Sequence, residues 1–240
     1  MPTFQHGKNA FLAIGYETAS TVATLGSTMS GTMTVGTISG FTGTLLASDP
    51  NVVSGGTTYG YFINSIPAYA TTALTATGGT LIGQATGASA GAGLTAASGS
   101  QVLPMVNLSP YINDISFPQA IDTPETTTFS AAGVKTYIVG LKGWTISFGG
   151  MFDNSAFYNS SVGTLDNLMN SVITFQDRGN LVSFVYDPST PGALAAGTAG
   201  VKYYGQALLT KYDLKSSVNG VVTFDGELQV TGAVTRTTNL

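Results

Sequence analysis

Apolar and polar residues alternate most clearly at three places in this chain of 240 residues. In the first, Tyr111, Asn113, Ile115 and Phe117 share one face, with Ile112, Asp114 and Ser116 on the other, until Pro118 stops the run. In the second, Trp144, Ile146 and Phe148 alternate with Thr145 and Ser147. The third puts Val222, Phe224, Leu228, Val230 and Val234 opposite Thr223, Asp225, Glu227, Gln229, Thr231 and Thr235. A period of two bounded by Pro and Gly is the strand signature. Slipping the last run by one residue would bury both Asp225 and Glu227, so its register is well specified. Asn219 and Gly220 supply the turn before it.

Weaker patterns complete the outline. Asn9 to Tyr16 alternates Phe11, Ala13 and Gly15 with Leu12, Ile14 and Tyr16, and reads as a strand. Leu181 to Asp187 is another, ended by Pro188. Val201 to Leu214 is apolar on both sides, which predicts burial on both faces. Between Ser155 and Gly179, Leu165, Leu168, Met169 and Val172 recur at helical spacing. Thr164 or Ser161 can cap that helix, Asp166 favours its N-terminal dipole, and Gly179 suits its end. The predicted class is mainly β, a sandwich or barrel-like fold with one flanking α-helix.

The connection between the first two alternating runs is unusual. From Asp122 to Leu141 it spans about twenty residues, and connections that long are commonly functional or disordered. Phe129, Tyr137, Ile138, Val139 and Leu141 argue for a packed excursion, with a neighbouring subunit as the surface it packs on.

Composition sharpens this expectation. Charged residues make up 8% of the chain, while apolar residues stand at 43% and the mean hydropathy is +0.25. Ordinary soluble proteins carry roughly 25% charge. Here Thr, Ser, Gly and Ala take the place of charges, which suits a surface tiled by copies of itself. The shift is sharpest from Thr18 to Ile112, where Asp49 is the one charged residue. Strand-like pieces (MTVGTISGF, GTTYGYFINSI) are followed by an Ala/Thr/Gly/Ser-rich tract at 70–101. The expected organisation is one domain, 1–240, with 18–105 as a low-charge insertion, either an extended arm or a small β embellishment.

No apolar run reaches the roughly 18 residues of a membrane helix. The start, MPTFQHGKN, lacks the basic end and apolar core of a signal peptide. With no cysteine there is no disulfide framework or thiolate metal site. A net charge of −4 and pI near 4.6 exclude a generally basic nucleic-acid binder.

Candidate chemistry is sparse. His6 is the single histidine, so a Ser-His-Asp or Cys-His centre cannot be assembled around a core histidine. Asp225 and Glu227 share a strand face and could serve as acid and base or bind calcium, but a solvated or surface-lining face is the commoner outcome. No phosphate-loop spacing occurs. The expectation is a non-enzyme with no cofactor and no metal.

Several of these stretches resemble the tail tube (major tail) proteins of tailed bacteriophages, chiefly the long non-contractile type. The similarity is carried by FQHGKNAFLAIGY, by LSPYINDISFP followed by the acidic DTPETTTF, by KTYIVGLKGWTISFGGMFD, and by the closing VTFDGELQVTGAVTR. Residues from about 18 to 105 lie outside it. The resemblance implies a structural virion protein, assembled in the host cytoplasm, whose rings are sixfold and stack into a hollow tube that passes DNA. It implies a tape measure protein and tail terminator or tip proteins as partners, and no membrane. On that basis Pro124, Glu125, Thr126, Phe129, Tyr137 and Leu141 are candidates for inter-subunit or inter-ring contact. Asp225, Glu227 and Gln229 are candidates for the lumen lining, an acidic and polar wall along which DNA would slide without counterion release. The alternatives are an outer-membrane or surface β-barrel, suggested by alternating strands and few charges, and a carbohydrate-binding β-sandwich. The latter needs exposed aromatics, whereas Trp144 shares its face with Ile146 and Phe148.

Overall fold

The computed structural model describes residues 10–16, 23–26, 59–70, 96–126, 135–152, 164–188, 201–216 and 220–237, with short pieces at 34–35, 38–39, 44–45, 53–54, 74–75, 77–80, 83–84 and 194–195. Among these the fold is mainly β with one α-helix. Eleven strands form the main sheet: β1 (Phe11–Gly15), β2 (Tyr59–Ile63), β3 (Ile66–Ala70), β4 (Gly83–Gln84), β5 (Val102–Asn107), β6 (Ile112–Ser116), β7 (Gln119–Ile121), β8 (Lys142–Met151), β9 (Val182–Asp187), β10 (Lys202–Lys215) and β11 (Thr223–Thr237). Their order is β4-β3-β2-β5-β1-β9-β10-β11-β8-β6, with β7 also paired to β8. Every pairing within it is antiparallel.

The sheet curls around its apolar face. Phe117, just beyond β6 at one end of the order, lies 6.2 Å from Phe184 on β9 and 5.2 Å from Tyr203 on β10. Ile146, Phe148, Phe224 and Leu228 fill the space between. The helix α1 (Leu165–Asp177) closes this core with Leu165, Leu168, Met169, Val172 and Phe175, all buried. Its stripe, its Thr164 cap (the hydroxyl accepts from Asn167 N–H at 3.4 Å) and the left-handed Gly179 agree with the sequence pattern. Ser161 and the rest of 153–163 lie outside the described residues, as do His6 and Asn219.

The low-charge stretch 18–105 contributes strands to this same sheet. β2 and β3 form a hairpin whose turn residues Asn64 and Ser65 both take positive φ, the conformation a tight two-residue turn requires. β5 then carries the hairpin onto β1. A second, smaller core forms around Tyr61, Ile63, Leu74 and Val102.

Two sequence expectations need correction. The first alternation is broken by a bulge: Ile112 pairs with Gly150 and Asp114 with Gly149, which leaves Asn113 as the extra residue. Ile112 and Ile115 therefore both pack on the core, and Asn113 is exposed rather than inward. A bulge shifts side-chain parity by one, which strict alternation cannot show. Burial of β10 on both faces is also wrong. Leu208 is 37% and Leu214 47% exposed, because β9 ends its pairing at Ala207 and the rest of β10 runs past it.

Candidate assembly surfaces

The described flanks of the excursion between β7 and β8 pair with each other as an antiparallel arm that continues the sheet ladder outward. Gln119, Ala120 and Ile121 pair with Trp144, Gly143 and Lys142. Beyond them Asp122 N–H donates to Leu141 O (2.9 Å), Ile138 N–H to Pro124 O (3.1 Å) and Thr126 N–H to Thr136 O (2.8 Å). A bridge joins Glu125 to Tyr137, and Lys135 Nζ meets Glu125 Oε2 at 3.1 Å. Gly140 allows the close approach: a Cβ there would lie 2.8 Å from Asp122 Cβ and 3.0 Å from Pro124 Cδ. With its backbone partnered, the arm holds its shape without burying side chains. Tyr137 is 56%, Val139 73% and Leu141 83% exposed, and Ile121 and Ile138 are open as well. Pro124, Glu125, Thr126, Tyr137 and Leu141 are thus brought together on one projection, while Phe129 lies outside the described residues.

The second surface is the polar side of β6, β8, β11 and β10. Register places Asp225 opposite Gly149 and Asp213, and Glu227 opposite Ser147 and Lys211. Gly149 leaves space that the Asp225 carboxylate occupies. A shallow groove of about 440 Å³ runs here, bordered by Asn113, Asp114, Lys211, Asp225 and Glu227. Gln229 is fixed on both sides: its amide N–H donates to Trp144 O (3.0 Å), and its Oε1 accepts from the Thr145 hydroxyl (3.2 Å).

This face is mixed in charge rather than simply acidic. Lys215 Nζ donates to Asp225 Oδ2, and Lys211 pairs with Asp213 at 3.2 Å. The Lys215 hydrogen bond holds the Asp225 carboxyl below the usual carboxylate range, and the same contact raises the Lys215 ammonium. Glu227 accepts from the Thr210 hydroxyl at 3.2 Å. Sequence reasoning missed Lys211, Asp213 and Lys215 as companions of Asp225 and Glu227. Lys211 and Asp213 sat inside the run 201–214 read as apolar on both sides, and Lys215 lies just past its end. Among the described residues no group of three or more His, Cys, Asp or Glu side chains could hold a metal ion.

The β10 edge beyond Ala207 faces no further strand among the described residues, although Gln176 takes both backbone groups of Leu209 there, and β6 and β4 end the sheet order. Open edges of this kind are templates for pairing with another chain. A membrane barrel would turn its apolar side outward to lipid, whereas here that side faces α1 and the packed interior.

Comparison with known proteins gives structural likeness alone. The chain is similar to one in the virion of a native gene transfer agent particle, at 17% identity and TM-score 0.39, covering 53% of this chain and 85% of that one. It is also similar to a chain in the tail of an empty gene transfer agent particle with C6 symmetry (19%, 0.39, covering 53% and 82%). A third likeness is to a chain in the baseplate of the anti-feeding prophage (10%, 0.38, covering 57% and 86%). No protein-family model and no curated protein matches.

Proposed function

We propose that this chain is the repeating structural subunit of a phage-type tail tube. Copies join side by side into rings, sixfold by the sequence resemblance, and the rings stack into a hollow conduit for DNA. The observation that carries this reading is the pair of flanks at 119–126 and 136–144, which ladder to each other while their large apolar side chains lie open to solvent. Five large apolar side chains left open within one short projection (Ile121, Tyr137, Ile138, Val139 and Leu141) support a contact site. A projection whose described flanks satisfy each other's backbone suits a neighbour better than it suits the chain's own core. Pro124, Glu125, Thr126, Tyr137 and Leu141 make that contact, with Phe129 as part of it.

The polar face of β8, β11 and β10 lines the bore. Asp225, Glu227 and Gln229 stand there with lysines already occupied by carboxylates, so the wall has no free basic row to displace counterions from DNA. The tape measure and the terminator or tip proteins are the remaining partners of this reading, and the virion tail is its place.

Negative-stain microscopy of the purified chain tests it. Tubes or stacked rings from the intact chain, and folded monomers from one lacking 122–141, are the expected results. Normal tubes from the shortened chain would reject the arm as the contact. Small monomers from the intact chain at every concentration would reject the tube.

A further inference from the structure

Lys202 and Asp187 are both wholly buried, and Nζ lies 3.4 Å from Oδ2. They meet because β9 and β10 pair Val185 with Tyr204 and Tyr186 with Tyr203. Asp187 and Lys202 are the next residues in that same register, and opposed residues of antiparallel strands hold their side chains a few ångströms apart. The lysine Nζ, a group with three donors, makes no hydrogen bond of ordinary geometry. Burial pushes its pKa down, and the Asp187 carboxylate offsets part of that.

We propose that Lys202 Nζ and Asp187 Cγ condense into an intramolecular isopeptide bond, with release of one water. In the reacting configuration one proton has passed from Nζ to the carboxylate, so that a neutral amine meets a carboxylic acid. The amine lone pair attacks Cγ. The proton that nitrogen then sheds goes to the departing hydroxyl, which leaves as water. No oxidant, reductant or co-reactant is needed. Desolvation activates lysine as a nucleophile, and fixed contact between the reacting groups replaces a bimolecular encounter. The product staples β9 to β10, two strands in the middle of the sheet order. This inference is independent of the tail tube reading.

Intact-mass spectrometry of the folded chain, stored until its mass is constant and allowing for loss of the initiator methionine, provides the test. The expected mass is one water below that of the sequence, with a branched peptide joining Asp187 to Lys202 after digestion. Lys202→Arg should keep its full mass. Asp187→Asn should lose ammonia instead and converge on the wild-type cross-linked mass. A wild-type chain at full mass without a branched peptide overturns the proposal, and so does a water deficit that persists in Lys202→Arg. The wild-type measurement decides on its own if either variant fails to fold.

Discussion

Gln176 of the helix holds Leu209 of β10 by both of its backbone groups. The Gln176 amide N–H donates to Leu209 O at 3.3 Å, and Leu209 N–H donates to Gln176 Oε1 at 2.7 Å. This occurs where β9 has stopped pairing and where Thr210 interrupts the β10–β11 register as a bulge. The side-chain amide therefore stands in for one residue of a missing strand and ties α1 to the sheet.

Removing that amide strands a donor and an acceptor that are partly buried. Gln176→Ala should destabilise the fold by about 1–3 kcal/mol, the usual cost of unpaired backbone groups. Gln176→Glu should fall between the two, since a carboxylate still accepts from the N–H but repels the carbonyl. Denaturant unfolding of the three proteins measures the order; equal midpoints for Gln176→Ala and wild type would show that water replaces the clamp without loss.

Gly140 gives a way to break the arm without touching the core. A valine there would drive Cβ and its methyls into Asp122 and Pro124. Gly140→Val should leave the near-ultraviolet dichroism and thermal midpoint close to wild type, because the arm buries little. Sedimentation should show loss of polymer. Assembly at wild-type concentration would mean that arm geometry is not what neighbours read.

How much of this was legible in the sequence depends on what broke the periodicity. The runs at Trp144–Phe148 and Phe224–Val230 have uninterrupted alternation across the core face, and their faces are as the pattern predicts. The helix stripe with its Thr164 cap is equally plain. The arm was visible as an excursion with apolar content, yet the pairing of its flanks was not, because threonines and a proline carry no alternation. Asn113 and Thr210 are bulge residues, and each shifts parity without a local marker. Leu208 and Leu214 look buried in sequence because they are large and apolar. Only the sheet order shows that β9 ends before them.

Lys215 should set the titration of Asp225. The carboxyl lies below its ordinary value of 3.8 because Lys215 stabilises the charged form. The unfolded state therefore binds more protons in the acid range, so the stabilisation is present above 3.8 and is lost as pH falls through the depressed pKa. In Lys215→Met the Asp225 resonance, followed by carbon NMR, should titrate at higher pH than in wild type. The acid limb of the stability curve should move up with it. Both groups are solvent-exposed, so added salt should shrink the difference. An unchanged Asp225 titration in the variant would show that the contact does not persist in solution.

The bore assignment turns on charge. Asp225→Lys together with Glu227→Lys leaves the core side of β11 untouched, since Phe224, Gly226 and Leu228 carry the packing. It also frees Lys215 from its carboxylate partner and adds two lysines beside it on β11, while Lys211 keeps Asp213. Rings should still form, because the lateral edges and the arm are unchanged. The altered tubes should now retain double-stranded DNA at low salt, with retention falling steeply as salt rises, as counterion release requires. In particles, genome ejection should slow or stop. Should ejection proceed normally from tubes that carry both lysines, this face looks toward solvent or a neighbouring subunit, and the lining must come from another part of the sheet.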